Sequence, residues 1–436
     1  VKRKIAVAAV LAVTLLGAAA CGSGTKNAAA DSTDGKGKTL NVWLMVDAQS
    51  GWPAVVDAAT AKFKAATGAD VVVNYQQWAN HLTKLDATLA GNDVPDVIEL
   101  GNTEASKYVF SGAFADLSDK KASFENSSSW LTGLSAPCEA DGKTYCVPYY
   151  AGARVLHYRT DLFQAAGLKA PTTYEELVQA ATTLQQKNAS DSKFSAFYMP
   201  GKYWYAAMAW VYGNGGQIAK KDGAKWKGTL SEPTAQQGLQ KWADLAKQYS
   251  KGDPTKDEND QAAVFGQGHT AMFYGNGWEG PAAESQPKDP NDPKSEKVDT
   301  AVKGKLASVP MPGFTKGMPS FLGGSILGVA NKSKNKGLAT EWIKAFTSAE
   351  QQQALLAKGA LPNTTALLDQ ASQIKGNEAT ALAAKSSWFV PNAPKWADVE
   401  KTNVLQQMLV DIVTGKKTVA EATKSADEQI TTTLNG

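Results

Sequence analysis

The residues of this chain best suited to chemistry are aromatic rings set beside glycine, amide and carboxylate groups. Tyr203-Trp204-Tyr205 follows Pro200-Gly201, and Gly275-Asn276-Gly277-Trp278-Glu279 follows the apolar run Ala271–Tyr274. Flat rings stack on the C–H faces of a pyranose, and Asp, Glu, Asn and Arg offer directed partners to its hydroxyls. Binding sites combine apolar walls with a few placed polar groups in this way. Twelve Trp and thirteen Tyr supply ample walls. Trp204 reads as a stacking platform, since a helix-periodic core does not need three consecutive aromatics. The glycines before Trp278 let backbone approach a ligand closely. Glu279 either accepts hydroxyls or caps the following turn. Trp242 and Trp342 fall on amphipathic patterns and read as core.

Catalytic motifs are missing. There is no nucleophile elbow, no HExxH and no P-loop. The three His, at 81, 157 and 269, are not paired in sequence with a Cys or Asp motif and read as solvated or packed. Acidic residues are common, so their presence says nothing about the two carboxylates a glycosidase needs. The Pro-, Asp- and Lys-rich stretch 284–297 lacks the spacing of a calcium loop and reads as a solvated loop. No catalytic residue, metal site or cofactor is expected.

Lys2, Arg3 and Lys4, the apolar run Ile5–Leu16 and the small residues 17–20 form a secretory signal over 1–20. A Cys after three small residues resembles the lipobox of bacterial lipoproteins, which implies cleavage before Cys21 and a lipid on its sulfur. The protein would then be tethered to the outer face of the cell membrane. Losing the three signal cations takes 45 Lys and Arg to 42, equal to the 42 Asp and Glu. A mature chain without net charge gives no argument for nucleic acid. Residues 21–38 have no large apolar group and read as a lipidated Cys and flexible tether spanning roughly 20–25 Å. The remaining cysteines, Cys138 and Cys146, flank an Asp141-Gly142 hairpin turn. A cross-strand disulfide is the natural reading in an oxidising compartment, and a metal pair lacks further Cys or His nearby.

The elements that must carry these residues begin at Thr39, with an alternating strand over 39–44. A helix is expected over Trp52–Thr67 with Gly68 just past its end, then a strand over 71–75, a helix over His81–Ala90 and a strand near 97–100. This alternation indicates βαβ units and a parallel sheet. Thr173 and Glu176 offer a capping box before Leu177, as do Thr418 and Glu421 before the last helix. Asp47 and Asn102 follow strands of this first part, where open α/β sheets place their ligand loops.

At this point the chain resembles the extracellular solute-binding proteins of bacterial ABC sugar importers, the maltose-binding-like family, from about residue 39 to 434. The carriers are Pro95-Asp96-Val97, Tyr145–Tyr150 followed by Val155–Phe163, Phe321–Val329, Gly359–Asn363 and Gly415–Ala422. Tyr198–Tyr205, Gly277–Gly280, Phe321–Ser325 and Pro391–Glu400 resemble in particular the actinobacterial chitobiose-binding lipoproteins. The resemblance implies an α/β fold of two lobes around a ligand cleft. One lobe would take 39–153 with 327–372, and the other 157–323 with 377–436. It implies capture of a di- or oligosaccharide, N,N′-diacetylchitobiose or cellobiose first, and delivery to a permease by a monomer. It also places Trp278 at the ligand, and one of Tyr149 and Tyr150, and Gly324, at the cleft, with Asn276 and Asn392 as polar contacts. Trp396 is cleft or packing, and Arg154 binds a hydroxyl or forms an inter-lobe ion pair. A non-sugar solute such as a peptide or polyamine is the alternative, and a lipid-anchored glycoside hydrolase the more distant one.

Overall fold

In the computed structural model, the residues described are 30–78, 81–257, 261–289, 295–315 and 317–436. The signal, Cys21 and the first half of the expected tether lie outside them. The fold opens with β1 (Thr39–Met45), α1 (Val46–Gly51), α2 (Pro53–Thr67), β2 (Asp70–Gln76), α3 (His81–Ala90), β3 (Val97–Gly101) and α4 (Asn102–Phe110). α2 shows why such segments form where they do. Pro53 at its first position needs no intrahelical N–H, and Val55, Val56, Ala59 and Phe63 form its buried stripe. Gly68 ends it with φ 75°, a left-handed conformation only glycine adopts without strain, and its N–H bonds to Lys64 O.

β2 and β3 flank β1, both parallel to it. A short hairpin, β4 (Glu139–Ala140) and β5 (Lys143–Thr144), then turns through Asp141 and Gly142, both with positive φ. It is closed by a Cys138–Cys146 bond with Cα atoms 4.9 Å apart. The long strand β6 (Cys146–Arg159) follows.

The second half is richer in helix. α5 (Tyr174–Lys187), α6 (Trp204–Gly213), α7 (Pro233–Tyr249), β7 (Met272–Asn276), α8 (Glu279–Glu284), β8 (Leu306–Val309) and β9 (Ser320–Val329) come in order. They are followed by α9 (Lys336–Phe346), α10 (Ala349–Leu356), α11 (Glu378–Ala384), β10 (Ser387–Trp388), α12 (Trp396–Lys401), α13 (Val404–Val413) and α14 (Val419–Asn435). Both capping boxes form: Thr173 with Glu176 starts α5, and Thr418 with Glu421 starts α14.

Among the described residues one eight-stranded sheet runs β8-β6-β9-β3-β1-β2, with β7 also beside β6 and β10 beside β9. β6 joins its two ends. Cys146–Ala153 pair with β9, whereas Arg154–Tyr158 pair with β7 and Leu156–Arg159 with β8. One core packs α2 and α9 on the β1 end, through Phe63, Trp342 and Phe346. Another packs α5, α6, α7, α12, α13 and α14 on the other end, through Trp204, Trp210, Trp242 and Trp396. A small third core of Leu134, Ala153, Leu322 and Leu361 lies where the strands cross. Trp242 and Trp342 are core, as their helical spacing predicts.

Two expectations need correction. The tether was expected to run free to residue 38, but 31–38 is docked. Gly35 donates to Thr67 O, Asp70 donates to Lys38 O, and a Cβ at Gly337 of α9 would lie 2.3 Å from Asp31 O. Small residues without a core of their own can still lie against one, and Gly35 fits where a Cβ would meet Ala69 Cβ at 2.5 Å. The stretch 284–297 is not wholly a loop, because half-buried Ser285–Pro287 pairs with exposed Lys297–Asp299 as a ribbon. Among the described residues no helix is long and apolar enough to cross a membrane.

Candidate functional site

Four elements of the first lobe, the two crossing strands and one turn of the second lobe converge on a cavity of about 340 Å³. Its walls are aromatic. Trp52 comes from the junction of α1 and α2, Trp78 from the segment after β2, Tyr150 from β6, and Trp278 from the turn after β7. Asp47 of α1 and Lys358 supply charge, and Ala151, Gly324, Gly359 and Ala360 complete the lining. The volume falls within the range of about 300–1,000 Å³ typical of small-molecule sites.

Each wall has a local cause. Gln76 ends β2 at the C-terminal end of a parallel sheet, so the chain that leaves it faces the crevice. There the Trp78 indole N–H donates to Asp47 Oδ2, which holds the ring and orients the carboxylate. Trp52 donates to Tyr149 O–H and meets the Tyr150 ring edge-on at 5.1 Å. β6 carries one extra residue here: Tyr150 pairs with Ser325 but Pro148 with Ile326, leaving Tyr149 as a bulge. The bulge sends the Tyr149 ring into the core against Phe346 and leaves Tyr150 lining the cavity. Burial, then the charges of Glu99 and Asp47, push the Tyr150 phenol well above its ordinary range, so it is a neutral hydroxyl at physiological pH. Gly324 has φ 148°, and a Cβ there would lie 2.1 Å from Tyr150 O, so only glycine lets the strands close up at this point.

One acid lies close to the site. Glu99 of β3 is 2% exposed and accepts the Met45 N–H at 2.7 Å. Burial pushes its carboxyl up to about 7, with Asp47 adding in the same direction and the Met45 bond opposing. His81 is raised because its bond to Glu104 at 2.9 Å and neighbouring charge outweigh burial, the largest single influence, which acts the other way.

Of the residues singled out by sequence, the structure brings Asp47, Tyr150, Trp278 and Gly324 together around the cavity. Seven others lie elsewhere. Asn102 is 2% exposed and donates to Gly133 O and Leu322 O, so its amide ties α4 to the crossing. Trp204 is buried, its ring 3.9 Å from Tyr205 and about 6 Å from Trp388 and Trp396. α6 is apolar on every face, so consecutive aromatics there are core after all. Trp396 is fully buried and donates to Glu400 Oε1 at 2.7 Å. Glu279 accepts from Asn276 N, Asn276 Nδ2 and Gln261 Nε2, so it and Asn276 brace the turn that presents Trp278. Asn392 accepts from Ser106 Oγ at 2.6 Å and donates to Ala136 O, bridging the lobes. Arg154 donates from its guanidinium to Tyr203 O–H and lies over the Tyr205 and Phe321 rings, within the second lobe's aromatic cluster.

Sequence reading passed over Trp78, Lys358 and Ala360. Trp78 was accessible to the rule that selected Asp47, since it too follows a parallel strand, and it is 38% exposed. Lys358–Ala360 arrive from a distant stretch, through Leu361 N–H donating to Ala151 O, and no local pattern announces that. A larger hollow, of about 640 Å³, lies by α13 and α14 and is lined by Lys202, Gln407, Asp411 and Lys417 without any aromatic. Among the described residues no group of three or more His, Cys, Asp or Glu could hold a metal ion.

A cavity between two α/β lobes, spanned by shared strands, defines a solute-binding protein. The chain belongs to the bacterial extracellular solute-binding protein family, which matches residues 58–384. Proteins of this family are extracytoplasmic binding proteins. The chain is 34% identical to the diacetylchitobiose binding protein DasA of Streptomyces coelicolor, over 98% of this chain and 97% of that one. It is 24% identical to the lactose-binding protein of Rhizobium radiobacter, over 64% of each chain. Among solved structures, the sugar-binding protein MalE of Xanthomonas citri superposes with a TM-score of 0.75 at 18% identity, covering 91% of this chain and 98% of that one. The GacH receptor of Streptomyces glaucescens, also solved with acarbose, gives 0.73 at 21%, covering 91% and 98%. These two share the fold.

Proposed function

We propose that this chain captures a di- or oligosaccharide outside the cytoplasm and delivers it to the permease of an ABC transporter, without cleaving it. The observation that carries this reading is the convergence of Trp52, Trp78, Tyr150 and Trp278 on one cavity beside Asp47 and Lys358. Rings from both lobes can sandwich pyranose faces, while the carboxylate, the ammonium and the phenol serve hydroxyls. Asp47 is the one carboxylate among the described lining residues, whereas glycoside hydrolysis needs a pair flanking the bond. The likeness to DasA along nearly the whole chain supports N,N′-diacetylchitobiose as the ligand, with cellobiose second. A lipid on Cys21 holds the protein at the membrane, and it works as a monomer.

Titration calorimetry against a sugar panel, with chromatography of the recovered sugar, tests this. Expected is binding of diacetylchitobiose ahead of cellobiose and maltose, with the sugar recovered intact. Cleaved sugar at enzymatic rates makes the protein a hydrolase. Binding of peptides or polyamines and of no sugar moves it to another solute class.

A further inference from the structure

One close approach in the cavity wall is made where a side chain is missing. Trp278 is 54% exposed, yet one edge of its indole rests on β6 at Gly152. A Cβ at Gly152 would lie 2.4 Å from Trp278 Cζ3 and 2.9 Å from Cη2, distances at which one of the two must move. Gly152 is not among the glycines with positive φ, so its backbone accepts alanine and only the indole stands in the way.

The indole has little room to retreat. Its turn is anchored by Gly277 N–H to Ala153 O and by Glu279 holding Asn276. Behind it, a Cβ at Gly277 would meet Thr380 Oγ1 of α11 at 2.5 Å. The direction left open is into solvent or the cavity. Tyr150 precedes Gly152 by two residues and therefore projects from the same face of β6. The gap between Tyr150 and Trp278 is thus set by what position 152 carries.

We infer that Gly152 is a specificity-determining position: its bare Cα seats the Trp278 indole on the crossing strand and so sets the width of the cavity. The statement about sugar choice rests on the sugar-binding reading above; the statement about the indole does not. A side chain at 152 drives the ring into the space a second pyranose needs, so a disaccharide loses more than a monosaccharide.

The test uses the full chain as native, Gly152→Ala, Trp278→Leu and the double variant. Diacetylchitobiose and N-acetylglucosamine are titrated by calorimetry. Without any sugar, the Trp278 contribution to fluorescence and its acrylamide quenching are read as the difference from the Trp278→Leu background. Expected is about a tenfold or greater loss of disaccharide affinity in Gly152→Ala, a smaller loss for the monosaccharide, and a changed Trp278 signal. In the Trp278→Leu background the same alanine changes affinity less than about twofold, the non-additivity of touching residues. Native affinity in Gly152→Ala, an equal loss in both backgrounds, or an unchanged Trp278 signal overturns the inference. If no sugar binds to any variant, the sugar reading fails, and the fluorescence decides about Gly152 alone. If Gly152→Ala folds only when joined to Trp278→Leu, the contact is supported; if neither folds, the glycine serves the backbone and the inference is wrong.

Discussion

At the scale of single residues, the site depends on rings that are exposed for their size. Trp278 and Trp78 are both more than a third exposed, whereas eight of the other ten tryptophans are buried. Removing an aromatic anchor at a binding centre costs about 2 kcal/mol or more, so Trp278→Ala should weaken sugar binding roughly thirtyfold. Its melting temperature should stay within a few degrees of native, because the ring supports little else; a calorimetric titration and a melting curve measure both. Glu99 gives a pH prediction. Its folded-state carboxyl is raised to about 7, above the ordinary 4.5, so the folded protein holds the proton more tightly than the unfolded chain. The stability tied to that proton is complete below about pH 4.5 and is lost as pH rises through 7. Glu99→Gln, which stays neutral, should therefore melt at least about 2 °C higher than native at pH 8, with the difference vanishing near pH 4.5. What was legible at this scale was residue type and the strand ends that present it. Asp47 and Trp278 could be found that way, and Trp78 by the same rule. Trp204 and Trp396 could not be told from site residues, because a buried aromatic cluster and a stacking wall use the same letters.

Elements were more legible than residues. α3 has the bounds its pattern predicts, and α2, β1 and β2 differ from expectation by a residue or so, because periodicity and caps act locally. The capping boxes are the most local of these signals, and each carries a measurable share of stability. Thr418→Ala removes the acceptor for the Glu421 N–H and should cost about 1 kcal/mol, read as a lowered midpoint in urea. The hairpin of β4 and β5 follows from Asp141-Gly142 in the same way, and its Cys138–Cys146 bond closes a small loop. In the loop-entropy account that closure adds roughly 2–3 kcal/mol. Mass analysis of the exported protein should show both thiols oxidised, and reduction should lower the melting temperature. The bulge at Tyr149 was not legible. Alternation alone predicts that one of two adjacent tyrosines faces the cleft, but which one depends on the register of β6 against β9, some 175 residues away.

For the whole molecule, the decisive fact is that the two cores share strands. β6 and β9 each contribute to both ends of the sheet, and Leu322 and Ala153 belong to a core at the crossing itself. Lobes joined only by loops can melt separately, whereas these lose shared hydrogen bonds together. Differential scanning calorimetry should show one transition with equal calorimetric and van't Hoff enthalpies. Saturating sugar, at about a hundred times its dissociation constant, should stabilise that transition by about 2.7 kcal/mol. Two transitions, only one of them shifted by sugar, would mean that the crossing does not couple the lobes.

The docked segment 31–38 changes how far this protein can stray. With a lipid on Cys21, only ten peptide steps separate the membrane surface from Asp31, which lies against Gly337 at the start of α9. A chain cannot exceed about 3.3–3.6 Å per residue, so the leash is at most about 35 Å, whatever shape it takes. Had the free chain reached residue 38, the limit would have been about 60 Å. On the proposed anchor, the shorter radius would keep the first lobe, with the start of α9, within about one domain diameter of the bilayer. A carrier on so short a leash would search a thin shell of space, at high local concentration, for its membrane partner.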